Sequence, residues 1–370
     1  MHVLVTADTV GGVWTYAKEL ITGLVRRGVK VTLVSFGNIP SHAQTDWIEA
    51  LGAAVDYRPT AFRLEWMQES EEDLAESRQF LMSVIDETKP DLLHLNQYCY
   101  GDLAVGIPRL VVAHSDVVSW WIAVKNEEPR GITWISRYRD IVSNGLAGAD
   151  MVIAPSKWMM EQIEEWHLVP KHSSVVFNGR TPNTFNPHIT KDDYILSVGR
   201  LWDGGKQVSL LAAIAPPAPV FVVGAEEHAD AALRGGQVFG EEACNLHLKG
   251  PQTESQLRHW YGRASIYAAT SRYEPFGLAP LEAAFSRCAI VANDILTFRE
   301  LWGDTVCYFK PNDPESLQSE LERLHSNREL RLTFANLAYN RARLRYTADR
   351  MVDEYTRLYE SLVGREVVAA

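Results

Sequence analysis

Residues 266–292 read IYAATSRYEPFGLAPLEAAFSRCAIVA, and the order of residue types along this stretch decides the fold. Ile266–Ala269 and Ala289–Ala292 are short apolar runs of the kind that parallel sheets bury on both faces. Between them, Leu278–Ser286 carries Leu278, Leu281 and Phe285 at helical spacing, behind a turn made by Pro275 and Gly277. A strand, a turn, a helix and a strand in this order form a parallel crossover unit.

The same alternation extends in both directions. Upstream, Tyr194–Val198 reads as strand, Gln207–Ala215 as helix, Val220–Val223 and Asn245–Lys249 as strands, and Thr253–Ala264 as helix. Downstream, helices are expected at Pro314–His325 and Arg328–Thr347, with a last one over Asp349–Leu362. The amino-terminal half repeats the pattern: strands at His2–Thr6, Val29–Phe36, Ala53–Tyr57, Asp91–Leu95, Arg109–Ala113, Met151–Ala154 and Val175–Phe177, with helices at Tyr16–Leu24, Glu69–Thr88 and Arg130–Ala147. Asn178–Thr190, with two prolines and little regular pattern, is the expected linker. The expectation is an α/β protein of two doubly wound, Rossmann-like domains facing a cleft, 1–185 and 186–348, with a helix over 349–370 crossing back to the first domain.

The chain has 370 residues, room for two domains. Its 36 Lys and Arg stand against 47 Asp and Glu, a net charge of -11, which argues against a broad nucleic-acid-binding face. Cys99, Cys244, Cys288 and Cys307 are too few and scattered for a disulfide framework or a Cys-rich metal knuckle. The first fifteen residues lack the basic start of a cleaved signal, and the longest apolar stretch, Leu210–Ala225, is short and broken by prolines. A cytoplasmic protein without a transmembrane segment is expected, with peripheral membrane contact left open.

Four constellations carry chemistry. Glu274 and Glu282 flank the start of the Leu278 helix, where the amides around Gly277 and Leu278 form an anion-attracting end. Carboxylates avoid phosphate oxygens and suit hydroxyls on either side, a layout that a nucleoside diphosphate sugar offers; one N-terminal acid and one solvated acid on a plain helix fit the spacing equally well. In SVGRLWDGGKQ, Ser197–Gln207, Arg200 and Lys206 flank a glycine turn at a strand's carboxyl end, where open α/β sheets bind ligands. Together they suit a departing diphosphate, although ordinary loop solvation also accounts for two basic residues. TVGGVWTY, Thr9–Tyr16, places a glycine pair at a strand–helix turn, but it is neither GxGxxG nor a Walker loop. Finally, His114 ends the Arg109–Ala113 strand with Asp116 two residues on and Trp120 and Trp121 behind: a sugar-contacting histidine or a structural one. There is no HExxH, no paired-cysteine spacing and no DxD, so no metal is expected.

These residues resemble the family 4 glycosyltransferases, which have the two-domain GT-B fold; the resemblance implies that 1–185 is the acceptor-side domain and 186–348 the nucleotide-sugar-binding one. The resemblance runs over almost the whole chain and is densest from Ser197 to Glu300, where EPFGLAPLE follows the GRL…K segment. It implies retaining transfer of a hexose from a nucleoside diphosphate sugar to a hydroxyl acceptor, in polysaccharide or glycoconjugate synthesis. Glu274 would touch the donor sugar hydroxyls and Glu282 the ribose. Arg200 and Lys206 would hold the diphosphate, with Phe276, Gly277 and Leu278 beside it. Lys249, Gly250 and Pro251 would line the base, Gly12 would lie near phosphate and acceptor, and His114 would contact the transferred sugar. The implied mechanism is front-face transfer, with the diphosphate accepting the acceptor's proton.

The chain departs from the family pattern at several places. Arg287, Cys288 and Ala289 stand where the family often has Gly-x-Pro, and Leu296 and Thr297 replace a usual glycine pair. The GRL-to-Lys interval is one residue longer than the commonest form, and Asp116 is not adjacent to His114. Arg299 and Glu300 could reshape that wall. No tightly bound cofactor is expected; a UDP-sugar is the expected donor because uridine is the common base, with a GDP-sugar as the alternative. The acceptor is expected to be a glycan, lipid-linked or a small molecule. The competing readings are a disaccharide synthase with a small soluble acceptor, a two-lobed binding protein, and a catalytically silent nucleotide-sugar-binding protein.

Overall fold

The computed structural model describes residues 1–226 and 245–369; Cys244 lies outside them. The chain divides into two compact units. Met1–Ile122, Glu127–Gly179 and Ala348–Ala370 form the first, and Ala123–Asn126 with Arg180–Thr347 form the second.

The first part of the chain runs β1 (His2–Asp8), α1 (Gly12–Arg26), β2 (Lys30–Phe36), α2 (His42–Glu49), β3 (Val55–Pro59), α3 (Glu71–Thr88), β4 (Leu92–Leu95), β5 (Arg109–Val112), α4 (Val117–Lys125), α5 (Thr133–Gly148), β6 (Met151–Ala154), α6 (Lys157–Trp166) and β7 (Ser173–Val175). Its seven strands lie in the order β3-β2-β1-β4-β5-β6-β7, and every pairing is parallel. The second part runs β8 (Asp192–Val198), α7 (Ser209–Ala212), β9 (Val220–Val223), β10 (Leu246–Leu248), α8 (Glu254–Arg263), β11 (Ala264–Ala269), α9 (Leu278–Phe285), β12 (Ala289–Asn293), α10 (Leu296–Trp302), β13 (Cys307–Phe309), α11 (Pro314–Ser326) and α12 (Arg328–Arg345), and the chain ends in α13 (Ala348–Ala369). Six parallel strands follow the order β10-β9-β8-β11-β12-β13. Both are the doubly wound sheets that the strand–helix alternation predicts, and in each the strand order reverses once, between β1 and β4 and between β8 and β11.

The central strands are buried on both faces, so they read as apolar runs rather than alternating ones, while edge strands β3, β7 and β10 are partly exposed. Local chemistry sets several helix starts. Thr253 and Gln256 form a capping box on α8, Asp313 caps α11 ahead of Pro314, and Asn327 caps α12. The expected helix Gln207–Ala215 shrinks to α7: Gln207 has φ 49, outside the helical region, and Pro216 and Pro217 stop the helix early. The strand expected at Val175–Phe177 is β7, Ser173–Val175, set by pairing with Val152–Ala154. Helices α2, α4, α6 and α10 and edge strand β13 are not among the elements predicted from periodicity.

Helix α13 packs within the first unit. Met351, Val352, Tyr355, Tyr359 and Leu362 are buried in one core with Tyr16, Leu20 and Leu24 of α1, each large apolar side chain contributing about 1.5–3 kcal/mol. Gly23 makes the approach: a Cβ there would lie 2.5 Å from a Val352 methyl. Tyr359 also donates or accepts at His94 Nδ1 on β4 (2.7 Å), while His94 Nε2 meets the Tyr16 hydroxyl at 3.1 Å.

Candidate active site

In the second unit, the loops leaving β8 and β11 meet at the reversal of strand order, the position where open α/β sheets take ligands. The loop after β8 is tied to its neighbour: Gly199 N donates to Val223 O (2.9 Å) and Leu201 N to Ala225 O (2.9 Å). Gly224 is required for this closeness, since a Cβ on it would run into the Gly199 carbonyl, and its φ of 154 is one that other residues rarely adopt. Asp203 then folds the loop. Its Oδ1 accepts from Gly205 N at 2.8 Å, and its Oδ2 accepts from Arg200 Nη2 at 2.8 Å. Arg200 also lies over the Trp202 ring, 4.9 Å from its centroid.

Lys206 reaches the second loop. Its Nζ is 2.6 Å from Glu274 Oε2, which also accepts from Ser271 Oγ at 3.1 Å. Thr270 Oγ1 donates to the Lys206 carbonyl (2.8 Å) and Arg272 N to the Gly205 carbonyl (2.9 Å), so backbone and side chain lace the loops together. Glu274 leads through Pro275 and Phe276 to Gly277, which starts α9 with φ 89 and no side-chain cap, leaving first-turn amides at Leu278 to an anion or water. Phe276 is buried edge-on against Tyr346, with ring centroids 5.5 Å apart.

Glu282 lies further along α9, with its side chain 12% exposed, and its Oε1 is 2.9 Å from Arg180 Nε. Lys249 and Gly250 follow β10 and join the same edge of the sheet: Lys249 N donates to Val222 O and Gly224 N to Gly250 O. Lys249 Nζ lies 5.0 Å from the Phe221 ring centroid, and Pro251 follows, exposed.

Gly12 and His114 belong to the first unit. Gly12 opens α1 behind Gly11, whose φ is 109, at the carboxyl end of β1. His114 follows β5, and its Nε2 is 2.7 Å from Asn96 Oδ1. Asn96 Nδ2 donates to Thr6 O, which fixes the amide orientation and makes His114 Nε2 the donor. Burial pushes the His114 imidazole down to about 3, so it is neutral near pH 7 and its Nδ1 carries the lone pair. Such a nitrogen can accept from a hydroxyl. Asp116, the neighbour singled out in sequence, instead makes a wholly buried pair with His167 (2.8 Å) and caps α4 through Ser119 N. Trp121 packs against the first unit's core.

Among the expected site residues, Lys206 and Glu274 are thus in direct contact. Arg200 shares the Lys206 loop, Phe276–Leu278 continue from Glu274, and Glu282 is gripped by Arg180, a residue the sequence reading placed in the linker. Only the basic character of Arg180 beside Gly179 marked it in sequence; its two carboxylate partners are remote along the chain. Among the described residues, no three His, Cys, Asp or Glu side chains are grouped to hold a metal ion, and no helix is long and apolar enough to cross a membrane.

Two doubly wound sheets with this loop chemistry define a class, the GT-B glycosyltransferases, and solved structures agree on the fold. Sucrose-phosphate synthase from Thermosynechococcus elongatus superposes with a TM-score of 0.80 at 16% identity, covering 99% of this chain and 100% of that one. The Anabaena protein HepE, solved with UDP and glucose, superposes with a TM-score of 0.72 at 16% identity over 98% and 100% of the two chains. The chain belongs to the family 4 glycosyltransferases: residues 10–183 match the family described as Glycosyltransferase Family 4, and residues 182–341 match Glycosyl transferases group 1. It is a nucleotide-sugar-dependent glycosyltransferase. Among curated relatives, O-antigen chain mannosyltransferase C of Escherichia coli is 24% identical over 98% of both chains. The lipopolysaccharide core biosynthesis mannosyltransferase LpcC of Rhizobium leguminosarum bv. viciae is 33% identical, but over 29% of this chain and 31% of that protein.

Proposed function

We propose that the chain moves a hexose from a UDP-hexose to a hydroxyl of a growing glycan, with retention at the anomeric carbon. One observation carries this reading: Lys206 and Glu274 meet at 2.6 Å where the strand order reverses, with Arg200 in the same loop. Cations and a carboxylate side by side match the diphosphate and hydroxyl parts of one donor. Lys206 and Arg200 hold the diphosphate and offset its charge as it leaves. The first-turn amides of α9 at Gly277 and Leu278, behind Phe276, add to that hold. Glu274 accepts from the sugar hydroxyls and Glu282 from the ribose, while Lys249, Gly250 and Pro251 line the base.

Gly12 and His114 serve the acceptor and the transferred sugar, His114 accepting a hydroxyl hydrogen bond at Nδ1. In the transfer, the bond between the anomeric carbon and the diphosphate oxygen breaks, and the acceptor oxygen bonds to that carbon on the same face. The acceptor's proton passes to the departing diphosphate, so no enzyme carboxylate acts as nucleophile.

UDP as the carrier is supported by the HepE complex, and mannose as the transferred hexose by the mannosyltransferase relatives. Those relatives also support an acceptor of the O-antigen or lipopolysaccharide kind. On this reading the glycan is handled in the cytoplasm, and where it is lipid-linked the enzyme's membrane contact is peripheral.

A thermal-shift screen of UDP, GDP and their hexose conjugates, followed by release of nucleoside diphosphate in the presence of candidate acceptors, tests the proposal. A stabilising nucleotide sugar that is then consumed is the expected result. No stabilisation by any nucleoside diphosphate or its sugar at millimolar concentration would overturn it.

A further inference from the structure

Arg180 follows Gly179, where the chain enters the second unit, and its side chain is only 2% exposed. A guanidinium buried this deeply is costly unless opposite charges pair with it. Two carboxylates flank it: Nε is 2.9 Å from Glu282 Oε1, and Nη2 is 3.1 Å from Glu254 Oε1. The Phe185 ring lies 5.5 Å from its Cζ. The backbone is fixed as well, because Arg180 N donates to Tyr346 O at 3.1 Å and Arg180 bridges in parallel to Thr347.

Glu254 stands in the first turn of α8 and Glu282 in α9, so one planar guanidinium pairs with carboxylates from two helices, by a hydrogen bond to Glu254 and an ion pair to Glu282. A lysine, a point charge on a flexible stem, cannot reproduce that span. A carboxylate held by such a pair has less freedom to lose when it takes up a hydroxyl, which lowers the ordering cost of binding.

We propose that Arg180 is a positioning residue for Glu282, setting that carboxylate to receive the ribose hydroxyls of the donor; the proposal rests on Glu282 being the ribose ligand. Arg180 touches no substrate on this account. It acts on the part of the affinity that depends on the 2′ and 3′ hydroxyls.

The test compares binding of UDP with 2′,3′-dideoxy-UDP by calorimetry, or the corresponding guanine pair if the thermal screen selects GDP. The wild type is expected to prefer the ribonucleotide by roughly tenfold or more, the scale of a hydrogen bond to a charged group. Arg180→Met should bring that preference close to one, while affinity for the dideoxy nucleotide changes by less than about threefold. A residue that merely supported the fold would weaken both nucleotides alike, and that result would overturn the proposal.

If Arg180→Met gives no cooperative melt, Arg180→Lys, which keeps the charge and loses the fork, is read in its place. A folded Arg180 variant with the full wild-type preference overturns the proposal. Glu282→Gln separates the two levels. An unchanged preference in Glu282→Gln would reject the ribose reading itself. A preference lost there but kept in the Arg180 variants would reject Arg180 alone.

Discussion

Lys206 Nζ and Glu274 Oε2 stand 2.6 Å apart, with side chains 21% and 11% exposed, although 68 residues separate them along the chain. A cation suited to phosphate and a carboxylate suited to hydroxyls thus neutralise each other. On the proposed function, a donor must replace this pair on both sides at once, offering phosphate to one partner and hydroxyls to the other.

Lys206→Ala should lower turnover by roughly tenfold or more, since a leaving-group contact is lost and Glu274 is left without its cation. Initial rates of nucleoside diphosphate release measure this, and full activity would remove Lys206 from the diphosphate site.

Gly224→Ala should destabilise the second unit by about 1–3 kcal/mol, because the new methyl collides with the Gly199 carbonyl and pushes the Arg200 loop outward. Urea unfolding gives the stability, and nucleotide titration should show weaker binding in the protein that remains folded.

Acid should weaken the first unit well before carboxylates titrate. Burial holds both His94 and His114 down to about 3, with their mutual repulsion adding to the effect at His94. Each is neutral when folded, whereas the unfolded chain takes up a proton near pH 6.5. Their contribution is therefore fully present above that pH and declines as pH falls toward 3, by about 2 kcal/mol for each histidine at pH 5. Melting curves from pH 7 to 4.5 should show this decline, and His94→Phe should flatten it; an equally steep curve in that variant would contradict the assignment.

His167→Ala should cost about 3–5 kcal/mol, since it strands the Asp116 carboxylate in a fully buried position. Burial pushes that carboxyl up, but His167 and the Ser119 amide outweigh it and hold it below its ordinary value. A loss of under about 1 kcal/mol in urea unfolding would show that the pair carries little of the first unit's stability.

The fold was legible because its strands are apolar runs separated by helices, a signal carried by neighbouring residues such as Ile266–Ala269 and Leu278–Phe285. The glycine turns at Gly199 and Gly277 were legible for the same reason. What stayed hidden depends on pairing across long separations. Arg180 looks like linker until Glu254 and Glu282 converge on it, and Asp116 looks like a site residue until His167 is seen to bury it. Strand β13 is only three residues long and acquires its identity from pairing with β12. Helix α7 was overextended because Gln207 adopts a positive φ that no side-chain pattern announces.

The bond between His94 and Tyr359 joins a strand made early in synthesis to a helix made after the whole second unit. While the chain is still emerging from the ribosome, α1 has no partner for its Gly23 face and His94 lacks one of its two phenols. The first unit can reach its finished core only after the second has been translated. Nascent chains of this protein should accordingly stay open to chaperones and proteases until α13 has emerged.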